Sequence, residues 1–370
     1  MKILICFGTR PEAIKMAPIC LELVKQNIPF KLCVTAQHRE MLDQVLNFFG
    51  LLPDYDLNIM KPNQSLNMLS SRILSKMDGI FETEPFDIVL VHGDTTTSSL
   101  VALSAFHRNI KVAHVEAGLR TYDKQSPFPE ELNRQLTGRI SDYHFTPTIK
   151  AKENLLSEKI NESEIIVTGN TVIDALLVAI QKIDEGYTNA TIESLKNKID
   201  LNKKLILVTG HRRESFGQGF ENLCKALLEL VREEDVQIVY PVHLNPNVKN
   251  VVYEKLSNIE NILLIEPLDY PSFIWLMSKA TVIISDSGGI QEEAPSLNIP
   301  VLVTRNTTER DEGIKAKCSF LVGTNPKKIV EKAKEVLDSD FVMKVNNPYG
   351  NGNAAKRIVE FLRDFKYSKC

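Results

Sequence analysis

The 370-residue chain carries 44 Lys and Arg against 47 Asp and Glu, a formal net charge of -3, with 43% hydrophobic and 25% charged residues. This balance belongs to a globular protein; it excludes a disordered or low-complexity chain and argues against a nucleic-acid binder, which would show a basic excess. No apolar run approaches the roughly 18 residues of a membrane span, and the length predicts two domains, each with its own core.

Residues 1–7 form a short apolar run that leads straight into Gly8-Thr9-Arg10-Pro11, too short for a signal peptide. Cys6, Cys20, Cys33, Cys224, Cys318 and Cys370 are scattered without a Cys-x-x-Cys pair. No metal or disulfide framework is expected from that spacing, and a reducing, cytoplasmic setting is. Strands are predicted at residues 2–7, 31–35, 87–91, 111–115, 143–145 and 165–167, with helical periodicity over 18–25 and 66–81 between them. After a polar stretch at 184–203 come strands at 204–208, 236–240, 262–265, 281–285 and 301–303, with a helix over 220–233. Continuous apolar strands alternating with helices mark parallel sheets covered on both faces, hence an α/β protein. Each half opens alike: residues 2–10, ending Gly8-Thr9-Arg10, match the pattern of 204–212, ending Gly210-His211-Arg212. Two such starts predict two doubly wound, Rossmann-like domains, divided somewhere in 168–203.

In open parallel sheets ligands bind beyond the carboxyl ends of the strands, so the residues after each strand carry the functional signal. Gly8-Thr9-Arg10-Pro11-Glu12, with Lys15 a turn further on, joins a glycine turn, a helix amino terminus and two cations, an arrangement suited to an anion or to a plain structural turn. It is neither a Walker A loop nor Gly-x-Gly-x-x-Gly, so ATP and NAD gain no support. After residue 91 comes His92-Gly93-Asp94-Thr95-Thr96-Thr97-Ser98, whose hydroxyls suit a helix cap, as Asp94 itself does. The next strand ends in His114-Val115-Glu116-Ala117-Gly118, and a Pro-anchored loop offers Glu130 and Glu131. Acids converging on one site suit acid–base work; Asp94 and Glu116 are favoured for it, and Glu131 reads as an ordinary surface acid. In the second half His211 stands beside Arg212 and Arg213, and His243 follows the next strand. Ser285-Asp286-Ser287-Gly288-Gly289 opens a helix that carries Glu292 and Glu293, a setting for a diphosphate with a carboxylate for ribose hydroxyls.

Together these segments resemble the non-hydrolysing UDP-N-acetylglucosamine 2-epimerases. The matching stretches are Gly8-Thr-Arg-Pro-Glu-Ala-Ile-Lys15, His92-Gly-Asp-Thr95, residues 114–121, 127–134, Gly169-Asn-Thr-Val172, 209–217, 286–295, Thr307-Thr-Glu-Arg310 and Pro348-Tyr-Gly350, which span nearly the whole chain. The resemblance implies a glycosyltransferase-B-like fold: residues 1–168, joined by a last helix at about 354–370, and residues 169–353, with the active site in the cleft between the two domains. It implies inversion of C2 of UDP-N-acetylglucosamine through elimination of UDP to 2-acetamidoglucal and re-addition, for cell-surface polysaccharide synthesis. Asp94, Glu116, Glu130 and His211 fill the family's catalytic positions, without a division into acid and base. Arg10, Lys15, His243, Leu268, Phe273, Ser287, Gly288, Gly289, Glu293 and Arg310 fill UDP-sugar positions. No metal or other cofactor is implied. A second, activating UDP-N-acetylglucosamine site is suggested by Gln37, His38 and Gln64, although Glu40 and Asn63 depart from the pattern of some relatives. A homodimer is implied by the family. A hydrolysing relative that releases N-acetylmannosamine and UDP, or an epimerase of a modified UDP-sugar, remains the alternative reading.

Overall fold

Short runs of Ile, Leu and Val between longer amphipathic segments fold as strands that pair only in parallel. The computed structural model describes residues 1–36, 39–61, 63–308, 310–339, 341 and 346–367. The chain divides into two compact units, Met1–Ala175 with Tyr349–Cys370, and Leu176–Pro348. The division falls inside the helix Thr171–Asp184.

Unit 1 holds β1 (Ile3–Phe7), β2 (Phe30–Val34), β3 (Tyr55–Asp56), β4 (Ile88–His92), β5 (Lys111–Val115), β6 (Tyr143–Thr146) and β7 (Ile165–Val167) in the order β3-β2-β1-β4-β5-β6-β7. Unit 2 holds β8 (Lys204–Thr209), β9 (Val236–Pro241), β10 (Ile262–Ile265), β11 (Val282–Ser285), β12 (Val301–Val303) and β13 (Ser319–Leu321) in the order β10-β9-β8-β11-β12-β13. Both are doubly wound sheets whose order reverses beside the first strand, so the crevice for a ligand opens at β1/β4 in one and at β8/β11 in the other. The matched openings of the two halves therefore sit at equivalent places. Every residue of β1 and β4 is buried, the mark of strands covered on both faces.

The helix expected over 18–25 begins earlier, at Arg10, and runs through Pro18 to Lys25. Thr9 and Glu12 form a capping box that starts it, and the helix continues through the buried Pro18 despite the N–H that proline lacks. The last helix, Ala354–Tyr367, belongs to unit 1. Its Ile358, Val359 and Leu362 are buried, and Phe361 meets Tyr143 and Phe145 edge-on at 5.0 and 5.4 Å. The Asp174 carboxylate accepts the Ala354 and Ala355 N–H groups at 3.2 and 2.8 Å, and Arg357 Nη1 donates to the Thr168 carbonyl at 2.7 Å.

Three histidines on neighbouring strands are buried in unit 1. Burial pushes His92 down from 6.5 to about 4, His114 to about 3 and His144 to about 4, with the Arg120 guanidinium adding to the effect on His144. A depressed folded value means that the unfolded chain takes up the proton first, so stability is full above the ordinary imidazole range and is lost as pH falls toward the folded value. Asp174, raised by burial to about 6, has the opposite sign. Replacing the fully buried His144 with leucine removes one histidine from this balance. Relative to wild type, His144→Leu should gain on the order of 3 kcal/mol between pH 7 and pH 4. Denaturant unfolding at the two pH values reads this difference directly, and a pH-independent gap between the two proteins would refute the assignment.

Candidate active-site residues

In unit 1 the loop after β1 is held by one carboxylate. Glu12, 2% exposed, accepts through Oε2 from Gly8 N–H at 3.0 Å, Thr9 N–H at 2.8 Å and Thr9 Oγ1 at 2.8 Å. Its Oε1 accepts from Thr95 Oγ1 at 2.7 Å, which ties the loop after β1 to the loop after β4. Burial raises the Glu12 carboxyl, and these hydrogen bonds oppose the rise. The N–H groups that the sequence offers to an anion are thus occupied from within, leaving Arg10 and Lys15 as the charged groups of that loop. Thr95 caps the helix Thr96–His107 by accepting from Ser98 N–H, so Asp94 is not the cap.

Asp94 instead pairs with Arg134 Nη2 at 2.5 Å, and its carbonyl accepts from Asn133 Nδ2 at 2.9 Å. Glu116, at the end of β5, has a left-handed backbone (φ 60°) and a largely buried carboxylate. Lys15 Nζ and Asn170 Nδ2 both donate to its Oε2, the latter at 2.9 Å, and His92 Nε2 lies 3.9 Å from the same oxygen. His92 is neutral and buried, with Nε2 making no hydrogen bond among the described residues. Each of the two acids has its own counter-charge. Glu130 starts the helix Glu130–Ile140 half-buried. Glu131, expected on the surface, is fully buried: it accepts from the N–H groups of Thr121 and Tyr122 and from Gln135, and pairs with Arg134. Burial alone would raise its carboxyl, but these donors hold it below the usual range. It is a brace for the loop rather than a surface acid. Gly118 (φ 87°) permits close packing there, since a Cβ would lie 2.3 Å from the Ala151 carbonyl oxygen.

In unit 2, His211 follows β8. Its ring stacks on His243 with centroids 5.5 Å apart and planes 21° from parallel, and its Nδ1 lies 3.5 Å from Asp286 Oδ1. Asp286, 1% exposed, accepts through Oδ2 from both His211 and Arg212 N–H at 2.9 Å. Ser287 precedes the short helix Gly288–Glu293. Arg310 Nε donates to Glu292 Oε1 at 3.1 Å directly over Gly288, where a Cβ would stand 2.8 Å from Arg310 Cζ. Of the two adjacent acids, Glu292 is therefore committed to Arg310, while Glu293 is buried beside it. Leu268 and Phe273 are half-buried around Asp269, which caps the helix Tyr270–Ser278.

Of the regulatory candidates, Gln37 and His38 lie outside the described residues. Gln64 is held by Arg72 Nη1 and donates to Met60 Sδ at 2.8 Å. The residues not singled out from sequence are Asn170, His92, Arg134, Asp286 and the clamp Glu12. Asn170 lies in the Gly169–Val172 motif, and its place just after β7 was the signal for it. Removing the Glu12 carboxylate by Glu12→Ala leaves several buried donors without an acceptor and should cost about 3 kcal/mol. A thermal midpoint equal to wild type would show that the clamp is dispensable.

The family model described as UDP-N-acetylglucosamine 2-epimerase matches residues 22–363. The Escherichia coli K12 UDP-N-acetylglucosamine 2-epimerase is 52% identical over 377 residues, covering 100% of both chains. The crystal structure of the Neisseria meningitidis enzyme bound to UDP-GlcNAc is 51% identical, covers 98% of this chain and 100% of that one, and superposes with a TM-score of 0.89. Acinetobacter baumannii MurG, at 13% identity, a TM-score of 0.58 and coverage of 98% and 99%, shares the fold alone. This chain belongs to the UDP-N-acetylglucosamine 2-epimerase family.

Proposed function

We propose that this protein interconverts UDP-N-acetylglucosamine and UDP-N-acetylmannosamine without net loss of UDP. The sugar has no carbonyl at C1 to acidify the C2 proton, so direct abstraction faces a high barrier. Departure of UDP changes this: the C1–O bond breaks with its electron pair leaving on UDP, C2 gives its proton to a base, and a C1–C2 double bond forms. Protonation of C2 from the opposite face and return of the UDP oxygen to C1 complete the inversion. Positive charge building at C1 calls for carboxylates, and the departing diphosphate calls for cations and N–H donors. The proton steps call for a base on one face and an acid on the other.

The observation that carries this reading is Glu116. A left-handed backbone aims a largely buried carboxylate that Lys15 and Asn170 hold in place beside a neutral His92. Strain of this kind persists where the surroundings enforce it, commonly at sites of chemistry. Asp94 and Glu130 in unit 1 and His211 in unit 2 join it as the acid–base set. Arg10 and Lys15 serve the anionic substrate; Arg310, Ser287, Gly288, Gly289 and Glu293 hold the UDP portion, with Leu268, Phe273 and His243. The two domains of this proposal take the bounds of the compact units, Met1–Ala175 with Tyr349–Cys370 and Leu176–Pro348. The protein acts in the cytoplasm as a homodimer in polysaccharide precursor supply, and UDP-N-acetylglucosamine also activates it through Gln37, His38 and Gln64.

Proton NMR of the enzyme with UDP-N-acetylglucosamine in deuterated water tests the chemistry. Deuterium at C2 together with accumulating UDP-N-acetylmannosamine is expected; free N-acetylmannosamine with stoichiometric UDP would make the enzyme a hydrolase instead. Glu116→Gln keeps the shape of the side chain while removing its charge, and should lower kcat by about 100-fold or more. Turnover at the wild-type rate in that variant would remove Glu116 from the mechanism.

A further inference from the structure

The proposed reaction uses His211 but leaves open which of its ring nitrogens meets the substrate. Three contacts within unit 2 bear on this. Asp286 is 1% exposed and sits just beyond β11, across the β8/β11 crevice from His211. Its Oδ2 is saturated by the His211 and Arg212 N–H groups, whereas Oδ1 makes no hydrogen bond among the described residues and faces His211 Nδ1 at 3.5 Å. A buried carboxylate oxygen without a donor is costly, and the imidazole N–H is the group placed to satisfy it. At 3.5 Å the contact is longer than a full hydrogen bond, as catalytic hydrogen bonds often are without substrate. His243 stacks on the ring and fixes its plane; its own Nδ1 accepts from Asn245 N–H at 3.1 Å and so carries no proton.

We infer that Asp286 is the positioning residue of His211: it holds the ring as the Nδ1–H tautomer and leaves Nε2, on the far side of the ring, as the atom that exchanges a proton with the substrate. When Nε2 takes up a proton the imidazolium forms against the Asp286 carboxylate, and when Nε2 gives up a proton the neutral Nδ1–H ring is restored, so charge and protons balance within the pair. The other groups facing this pair are His243, Arg212 and Tyr240. Burial, His243 and Arg212 hold the His211 imidazole below its ordinary range, and Asp286 opposes them. Tyr240, raised well above its usual value by burial, stays neutral. Asp286 thus keeps the ring protonatable in cationic surroundings. This inference rests on the proposed role of His211 and deepens it.

The wild-type protein decides the tautomer without any substitution. In a proton–nitrogen correlation spectrum of 15N-histidine-labelled enzyme at neutral pH, the His211 ring should show the Nδ1–H pattern; an Nε2–H pattern overturns the inference. Asp286→Asn keeps an oxygen for the two backbone N–H groups but turns an amide N–H toward Nδ1. It should flip His211 to Nε2–H, lower its titration midpoint by about one unit, and reduce kcat by roughly 1000-fold with KM within about threefold. Lost activity with an unchanged tautomer and midpoint would reduce Asp286 to a backbone clamp and overturn the inference. His211→Gln tests the reading beneath it: full turnover there would remove His211 from the reaction, whatever the spectrum shows.

Discussion

A buried carboxylate that crosses the crevice between two central strands is the interaction on which the functional loops of both units depend. In unit 1 it is Glu12, reaching from the helix after β1 to Thr95 after β4. In unit 2 it is Asp286, reaching from the end of β11 back to the loop after β8. The direction is opposite and the effect the same. Loops at the carboxyl ends of parallel strands have no ladder of their own, and their backbone N–H groups need an acceptor that water cannot replace once buried. One acid satisfies two of them in each unit and fixes the chain on either side. The side chains that project from these loops, Arg10 and Lys15 in one case and His211 in the other, then inherit a defined starting point.

The same economy appears around the acids assigned to chemistry. Asp94 is partly exposed and Glu116 largely buried, and each is restrained by a neighbour, Arg134 in one case and Lys15 with Asn170 in the other. Glu131 holds Arg134 from beneath and the 121–122 backbone from the side. Two adjacent glutamates in one helical turn thus sit differently, Glu131 buried as a brace and Glu130 half-buried at the start of the helix.

Much of this was legible in the sequence, and the exceptions have physical causes. The central strands announced themselves as unbroken apolar runs because they are buried on both faces. The edge strands β3 and β13 did not: two or three residues with a partly exposed surface leave no run to read. Helical periodicity was legible only over 18–25, whereas the helix starts at the Thr9–Glu12 capping box, where the glycine turn had also suggested a helix amino terminus. Glu131 looked like a surface acid because sequence does not disclose the donors that fold back onto a carboxylate. Asn170, His92 and Asp286 act across 54, 24 and 75 residues of chain, and no local pattern registers such distances. What the sequence showed directly was where loops follow strands, and Arg10, Lys15, Asp94, Glu116 and His211 came from there; Leu268, Phe273, Arg310, Gln37, His38 and Gln64 came only from the family resemblance.

The return of the last helix to unit 1 has a consequence for how the protein is made. Phe361 covers Tyr143 and Phe145, and Asp174 is satisfied by the N–H groups of Ala354 and Ala355. During synthesis, all seven strands of the first sheet and the whole of Leu176–Pro348 are made before that helix. The nascent first unit therefore waits with an apolar flank open to solvent and a carboxylate lacking its donors. The second unit, continuous in sequence, completes itself meanwhile. The enzyme's amino-terminal half is begun first and finished last, and it is this half that a chaperone on the emerging chain would have to shield.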